Sequence, residues 1–207
     1  ERAEHLFHTA LSIAQQIDDQ DKIANTANSL LVLYSTLGKY QEAEDYASRA
    51  IQIYETLRRE QQISRIKTNL ARGYNLAGKY EYALQTLHEA KAIVQSHQFP
   101  LPVEFENFIN LEFAEAYLGK EDWGNAESYI SLLKDKDKTR FKADVHRIMG
   151  SIYSGRGELM IAMQWLNSAI EIIEQDTSPD LYFYAFTYRS RARVHVKAGE
   201  YQKAIGD

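Results

Sequence analysis

Arg65, Asn69 and Arg72 stand at i, i+4 and i+7, a spacing that puts three side chains on one face of a helix across two turns. The chemistry available there is recognition. An arginine holds a carboxylate through two parallel N–H bonds. An asparagine offers a donor and an acceptor together, so it can pair with a peptide backbone at two points. An extended peptide of acidic character is what such a face would grip. Other chemistry finds less support. His5 and His8 lie three apart and could give two metal ligands, but no carboxylate or third histidine is placed to complete a site. Gly155-Arg156-Gly157 is not a phosphate loop, because no strand precedes it. Glu42 and Glu44 are paired acids on a solvated helix face, and no nucleophile, base and orienting group stand at readable spacing. We expect no catalytic residue, no metal site and no cofactor, and a chain that is not an enzyme.

The composition agrees. Of 207 residues, 44% are hydrophobic and 26% charged, as in an ordinary folded protein. Three prolines and ten glycines leave little room for long loops. The absence of cysteine excludes disulfides and thiol chemistry. No apolar run approaches membrane length, and a net charge of −5 opposes bulk attraction to nucleic acid or anionic membrane. A cytoplasmic chain with no membrane partner is the expectation. Arg189, Arg191 and Arg193 form a local basic cluster, the one feature that favours a nucleic-acid-binding repeat module as the weaker alternative. A helical appendage of an enzyme lying outside this segment is the remaining one.

The elements that must position these side chains are written in six alanines: Ala3, Ala43, Ala83, Ala126, Ala162 and Ala204, separated by 40, 40, 43, 36 and 42 residues. Nine residues before each of the last five stands a ring: Tyr34, Tyr74, Tyr117, Tyr153 and His195. The outer period drifts while the inner spacing does not. One rigid supersecondary unit is therefore copied, with connectors of variable length.

Each copy reads as a helical hairpin. Ala27, Leu30, Leu31, Tyr34 and Leu37 recur at helical spacing, Gly38-Lys39 breaks the helix, and Tyr40, Ala43, Ala47, Ala50, Ile51 and Tyr54 form a second stripe. The small alanines let two helix backbones approach. Hairpins are expected over 24–58, 63–97, 103–134, 140–175 and 180–207, the last truncated, with 1–17 an orphan second helix, all in one solenoid. Phe99-Pro100-Leu101-Pro102, residues 134–139 and Asp176-Thr177-Ser178-Pro179 mark breaks. The 36-residue gap before Ala162 predicts a tight connector there or a short second helix. Arg191 stands where the other copies have Leu30, Leu70, Phe113 and Met149, which predicts weaker packing in the fifth hairpin. Neither end carries a polar cap. The chain therefore reads as part of a larger protein, with end-to-end self-association through its uncapped terminal repeats.

Met149-Gly150-x-x-Tyr153 followed by Ala162-x-x-x-Leu166 resembles the signature of the tetratricopeptide repeat (TPR). The resemblance covers essentially the whole chain. It departs from the common pattern in three ways. The signature tryptophan is replaced by Ala27, Lys67, Asn110, His146 and Tyr188, the closing proline is missing, and the period exceeds the usual one. In this it is similar to the long-repeat arrays of bacterial regulators and sensors. The resemblance implies an all-α fold, a right-handed superhelical solenoid of antiparallel helix hairpins, whose first helices line a concave face and touch a protein or peptide ligand. On that face the sequence places Asn25 and Asn28, then Arg65, Thr68, Asn69 and Arg72, then Glu112 and Glu115, then Arg147 and Ser151, and finally Arg189 and Arg193. Val32, Phe108, Leu111, Asp144, Ser154 and Phe186 fall beside them. The expected function is a non-catalytic scaffold, the interaction or sensor module of a larger bacterial protein.

Overall fold

The computed structural model describes residues 2–97, 100–134, 141–175 and 181–207. Phe99, residues 135–139 and Asp176 to Pro179 lie outside the described residues. Among those described there are eleven helices and no strand. The chain divides into two compact units, residues 1–105 and 106–207. The first holds α1 (Arg2–Gln16), α2 (Gln20–Thr36), α3 (Tyr40–Thr56), α4 (Glu60–Leu76) and α5 (Tyr80–His97). Helix α6 (Val103–Gly119) begins at the boundary, and the second unit continues with α7 (Trp123–Ser131), α8 (Lys142–Gly155), α9 (Leu159–Glu174), α10 (Leu181–Lys197) and α11 (Tyr201–Gly206).

One turn explains the invariant nine-residue spacing. The amides of Lys39, Lys79, Asp122, Glu158 and Glu200 donate to the carbonyls of Tyr34, Tyr74, Tyr117, Tyr153 and His195, each at 2.8–2.9 Å. This six-to-one bond closes a helix with one left-handed residue, and that residue is Gly38, Gly78, Glu121, Gly157 and Gly199 in turn. The ring ends the first helix, the left-handed residue reverses the chain four positions later, and the alanine arrives five positions after that. The turn is rigid, so the spacing cannot drift. Glu121 is the one side chain forced into this conformation in these five turns, at φ +60°. Replacing it with glycine relieves that strain, and Glu121→Gly should raise stability by about 0.5–1 kcal/mol, read as a higher melting temperature.

The alanines sit where backbones cross. Ala43, Ala83, Ala126 and Ala162 are all buried, as are Ala27, Ala47, Ala50 and Ala90. Leu37 does not join the core stripe: it is 50% exposed because it caps α2 rather than continuing it. Helix α2 also starts before its apolar stripe, since Asp19 caps it by accepting from the Lys22 amide at 3.0 Å. A polar first turn leaves no hydrophobic period to read. Helix α7 has only nine residues against 17 in α3 and 18 in α5, a short second helix of the kind the 36-residue gap allowed.

The first of the rings preceding the turns is pinned by polar contacts. The Tyr34 hydroxyl donates to Glu4 Oε1 at 3.0 Å, lies 2.8 Å from His8 Nε2, and its ring stacks on Tyr46 at 5.6 Å. Burial, reinforced by Glu4, pushes the Tyr34 hydroxyl up to about 12, and burial with the Glu44 charge pushes Tyr74 up to about 12. The folded state therefore favours the protonated phenols. Their contribution is complete below about pH 10, where unfolded tyrosine still holds its proton, and is lost as pH rises toward 12. Melting temperature should fall steeply between pH 10 and 12 in the parent. The slope should be shallower in Tyr34→Phe with Tyr74→Phe, which have nothing to ionise there.

Candidate functional site

In the first unit the recognition residues lie on the neighbouring helices α2 and α4. Asn25 and Arg65 are exposed, while Asn28, Asn69 and Arg72 are half-buried. Asn69 Nδ2 donates to Asn28 Oδ1 at 2.9 Å, so the two amides bridge the helices and fix each other's orientation. The Arg65 guanidinium lies 5.6 Å from the Phe105 ring centroid, an apolar shelf beside an arginine that stays exposed. Thr68 is fully buried and its hydroxyl donates to Ser64 O at 2.9 Å, so it supports α4 from within. Ser64 in turn donates to Ala90 O at 3.0 Å, tying α4 to α5. Lysine is kept off this patch: Lys67 points elsewhere on α4, paired with Glu89 at 2.8 Å.

The second unit treats its charged residues differently. Arg147 is buried, with only 5% of its side chain exposed, and its guanidinium pairs with Glu115 and lies 3.8 Å from Asp144. Glu112 and Asp144 are buried too, and Phe108 stacks against Phe141 at 6.0 Å. Leu111 and Ser154 are likewise buried, and the Ser154 carbonyl accepts from Lys197 Nζ at 2.9 Å. The Ser151 hydroxyl turns back to Arg147 O at 3.0 Å. Phe186 sits between two cations, 6.0 Å from Arg147 and 5.8 Å from Arg189. In this unit, Arg189 and Arg193 on α10 are the exposed cations among the residues placed on this face by sequence.

Arg191 shows what an apolar-position arginine can do. Its Nε donates to both Asp207 carboxylate oxygens, at 3.1 and 3.0 Å, and its Nη1 donates to Asn167 Oδ1 at 2.9 Å. The last hairpin is held by this fork in place of a leucine, and Asp207 is the partner that spacing alone did not indicate. The Arg191 guanidinium is held more firmly in its charged form by that hydrogen bond. His195, in the tyrosine position, is buried with Nδ1 2.7 Å from Glu200 Oε2. These groups line one wall of a cavity of about 670 Å³ whose other wall is Leu159, Met160 and Met163. Among the described residues no three histidine, cysteine or acidic side chains gather as a metal cage. No helix among them is long and apolar enough to cross a membrane.

Comparison with known proteins places this arrangement. Residues 1–56 match the tetratricopeptide repeat family. No curated protein matches the chain. Solved structures do. BtubC (BKLC) from P. vanneervenii is 18% identical with a TM-score of 0.68, over 100% of this chain and 87% of that one. A kinesin light chain of P. anserina with nearly identical TPR-like repeats is 19% identical with a TM-score of 0.58, over 88% and 90% of the two chains. The apo form of RapI is 14% identical with a TM-score of 0.63, over 97% of this chain and 55% of RapI. The fold is an all-α, TPR-like helical solenoid built from antiparallel hairpins.

Proposed function

We propose that this chain is a non-catalytic protein-binding module, a TPR array of the long-repeat type, that holds an extended acidic peptide on the first helices of its hairpins. The observation that carries the reading is the patch on α2 and α4. Two arginines two turns apart flank an asparagine pair whose amides are locked to each other. A carboxylate on the peptide meets Arg65 or Arg72, and the peptide backbone meets the free edges of Asn25, Asn28 and Asn69. Arg189 and Arg193 offer the same chemistry on α10, and Ser151 lies on α8 beside them in sequence register. Arg147, Glu115 and Glu112 act beneath the face by setting its shape. The module serves as the interaction or sensor part of a larger cytoplasmic bacterial protein. The fold it shares with kinesin light chains and RapI supports this reading.

The test is a peptide library panned against the parent and against Arg65→Ala with Arg72→Ala. Selected peptides should be acidic and extended. The double variant should bind them at least about tenfold more weakly, about 1.4 kcal/mol, with little change in melting temperature because both side chains are peripheral to the core. Lysine at both positions should restore only part of the affinity, since an ammonium lacks the planar fork. Recovery of the same peptides at the same affinity by parent and double variant would move the binding surface elsewhere.

A further inference from the structure

Three turns carry the same clasp. The glutamate one residue past a repeat alanine pairs with a cation from the following turn, and that cation lies over the ring ending the first helix. Glu4 pairs with Lys39 at 3.3 Å, and Lys39 lies 5.1 Å from the Tyr34 ring centroid. Glu44 pairs with Lys79 at 3.4 Å, and Lys79 lies 5.7 Å from Tyr74. Glu127 pairs with Arg156 at 2.6 Å, and Arg156 lies 6.0 Å from Tyr153. In the last hairpin every member is changed. Met163 stands in the glutamate's place, Ala198 and Glu200 where the cations stand elsewhere, and His195 in the tyrosine's place. The groove between α9 and the α10–α11 turn is therefore not spanned by a clasp, and it is the cavity of about 670 Å³. Its open side does not come from a missing neighbour. Gln41 and Tyr82, in register with Met160 and Lys203, are exposed as well, although α3 and α5 run 17 and 18 residues.

We propose that this groove is a docking site for an aromatic side chain presented by a polypeptide partner. Three features select this occupant. The polar wall is satisfied within itself: Arg191 binds Asp207, and Lys203 pairs with Glu200 at 2.9 Å, two cations against two carboxylates. A charged side chain entering the groove would find no counter-charge to spare, so the groove suits an uncharged one. The opposite wall carries two thioethers. Met160 is 83% exposed, at a place where α3, α5 and α7 have Gln41, Glu81 and Gly124. Sulfur against an aromatic ring is a favourable contact, and the unbranched methionine chain adapts to the ring's shape. The second hairpin shows the same groove taking a ring. There Tyr82, in the register of Lys203, lies beside Tyr74 with ring centroids 5.8 Å apart. The volume is that of a small-ligand site, enough for one aromatic side chain and the backbone that carries it. None of the groove's residues belongs to the acidic-peptide face, so the two readings stand or fall separately.

The chain has three methionines, Met149, Met160 and Met163, so methyl-labelled methionine gives three NMR signals. Met149 lies outside the groove and is the internal reference. Titration with N-acetyl-Ala-Ala-Tyr-Ala-Ala-amide should move the Met160 and Met163 methyls and leave Met149 still, with a dissociation constant of about 1–10 mM. The same peptide with leucine or arginine in place of tyrosine should bind at least about fivefold more weakly. Met160→Gln changes only a surface side chain and should weaken the tyrosine peptide about threefold, read at Met163. Met163→Glu with Ala198→Arg rebuilds the clasp of Glu127 and Arg156 and should abolish the Met160 response. Groove methyls that stay still up to about 20 mM tyrosine peptide overturn the proposal. So does a leucine or arginine peptide that binds as tightly, or a Met160→Gln or rebuilt-clasp chain that responds as the parent does. A groove that takes free p-cresol but not the tyrosine peptide overturns it too, since the ligand is then a small phenol and not a partner chain.

Discussion

Arg147→Ala should destabilise the second unit by about 3–5 kcal/mol, among the largest losses any single side chain here can cause. The guanidinium is buried and is the counter-ion of Glu115 and Asp144, whose own side chains are 24% and 7% exposed. Removing it takes the counter-charge from a buried carboxylate and from one that water reaches only in part. The loss therefore comes from the charges left behind rather than from the pair itself, and one further variant separates these contributions. Adding Glu115→Gln and Asp144→Asn to Arg147→Ala should recover much of the stability, because the two carboxylate charges are then gone. Chemical denaturation at pH 7 reads both variants. A loss under about 1 kcal/mol at pH 7 would place the cluster in water.

Gly150→Ala should cost about 2 kcal/mol and lower the melting temperature by about 4–8 °C, against the ordinary rule that alanine in a helix is better than glycine by about 1 kcal/mol. A Cβ at this position would lie 2.6 Å from Leu166 Cγ and 3.1 Å from the Ala162 carbonyl oxygen. The first contact is with a branch point and the second with backbone, and neither can swing aside. Helices α8 and α9 would have to separate, opening the crossing that Ala162 and Leu166 fill. Gly124 gives the contrast. Its nearest foreign atom would be Asp122 Oδ1 at 3.9 Å, so Gly124→Ala should be neutral or stabilising by up to about 1 kcal/mol. If the two variants melt alike, helix propensity and not the close crossing governs Gly150.

Much of the fold was legible in the chain because it is written locally. The ring, the left-handed turn residue and the alanine lie within ten residues of each other, and a six-to-one hydrogen bond holds them at that distance in every copy. The core alanines follow from these positions, and the 36-residue gap allowed either a tight connector or the short α7. Helix starts were less legible. The polar first turn of α2, capped by Asp19, carries no apolar period, and Leu37 has the right spacing for the core but caps α2 half exposed.

The chemistry of the candidate face divides the same way. Sequence alone determined which residue types stand on the first helices and that Arg65, Asn69 and Arg72 share one side of α4. Only the tertiary structure decided which of the charges are available. Arg65 lies exposed beside the Phe105 ring, while Arg147, which stands in register with the buried Thr68, is enclosed by Glu115, Asp144 and Phe186. Arg191 likewise looked like a defect in the last hairpin until Asp207, 16 residues away, supplied its carboxylate. Helical periodicity fixes the direction in which a side chain leaves its own helix. Whether it meets water, a ring or an opposite charge depends on what the neighbouring helix presents there, and that is a property of packing between segments far apart in sequence.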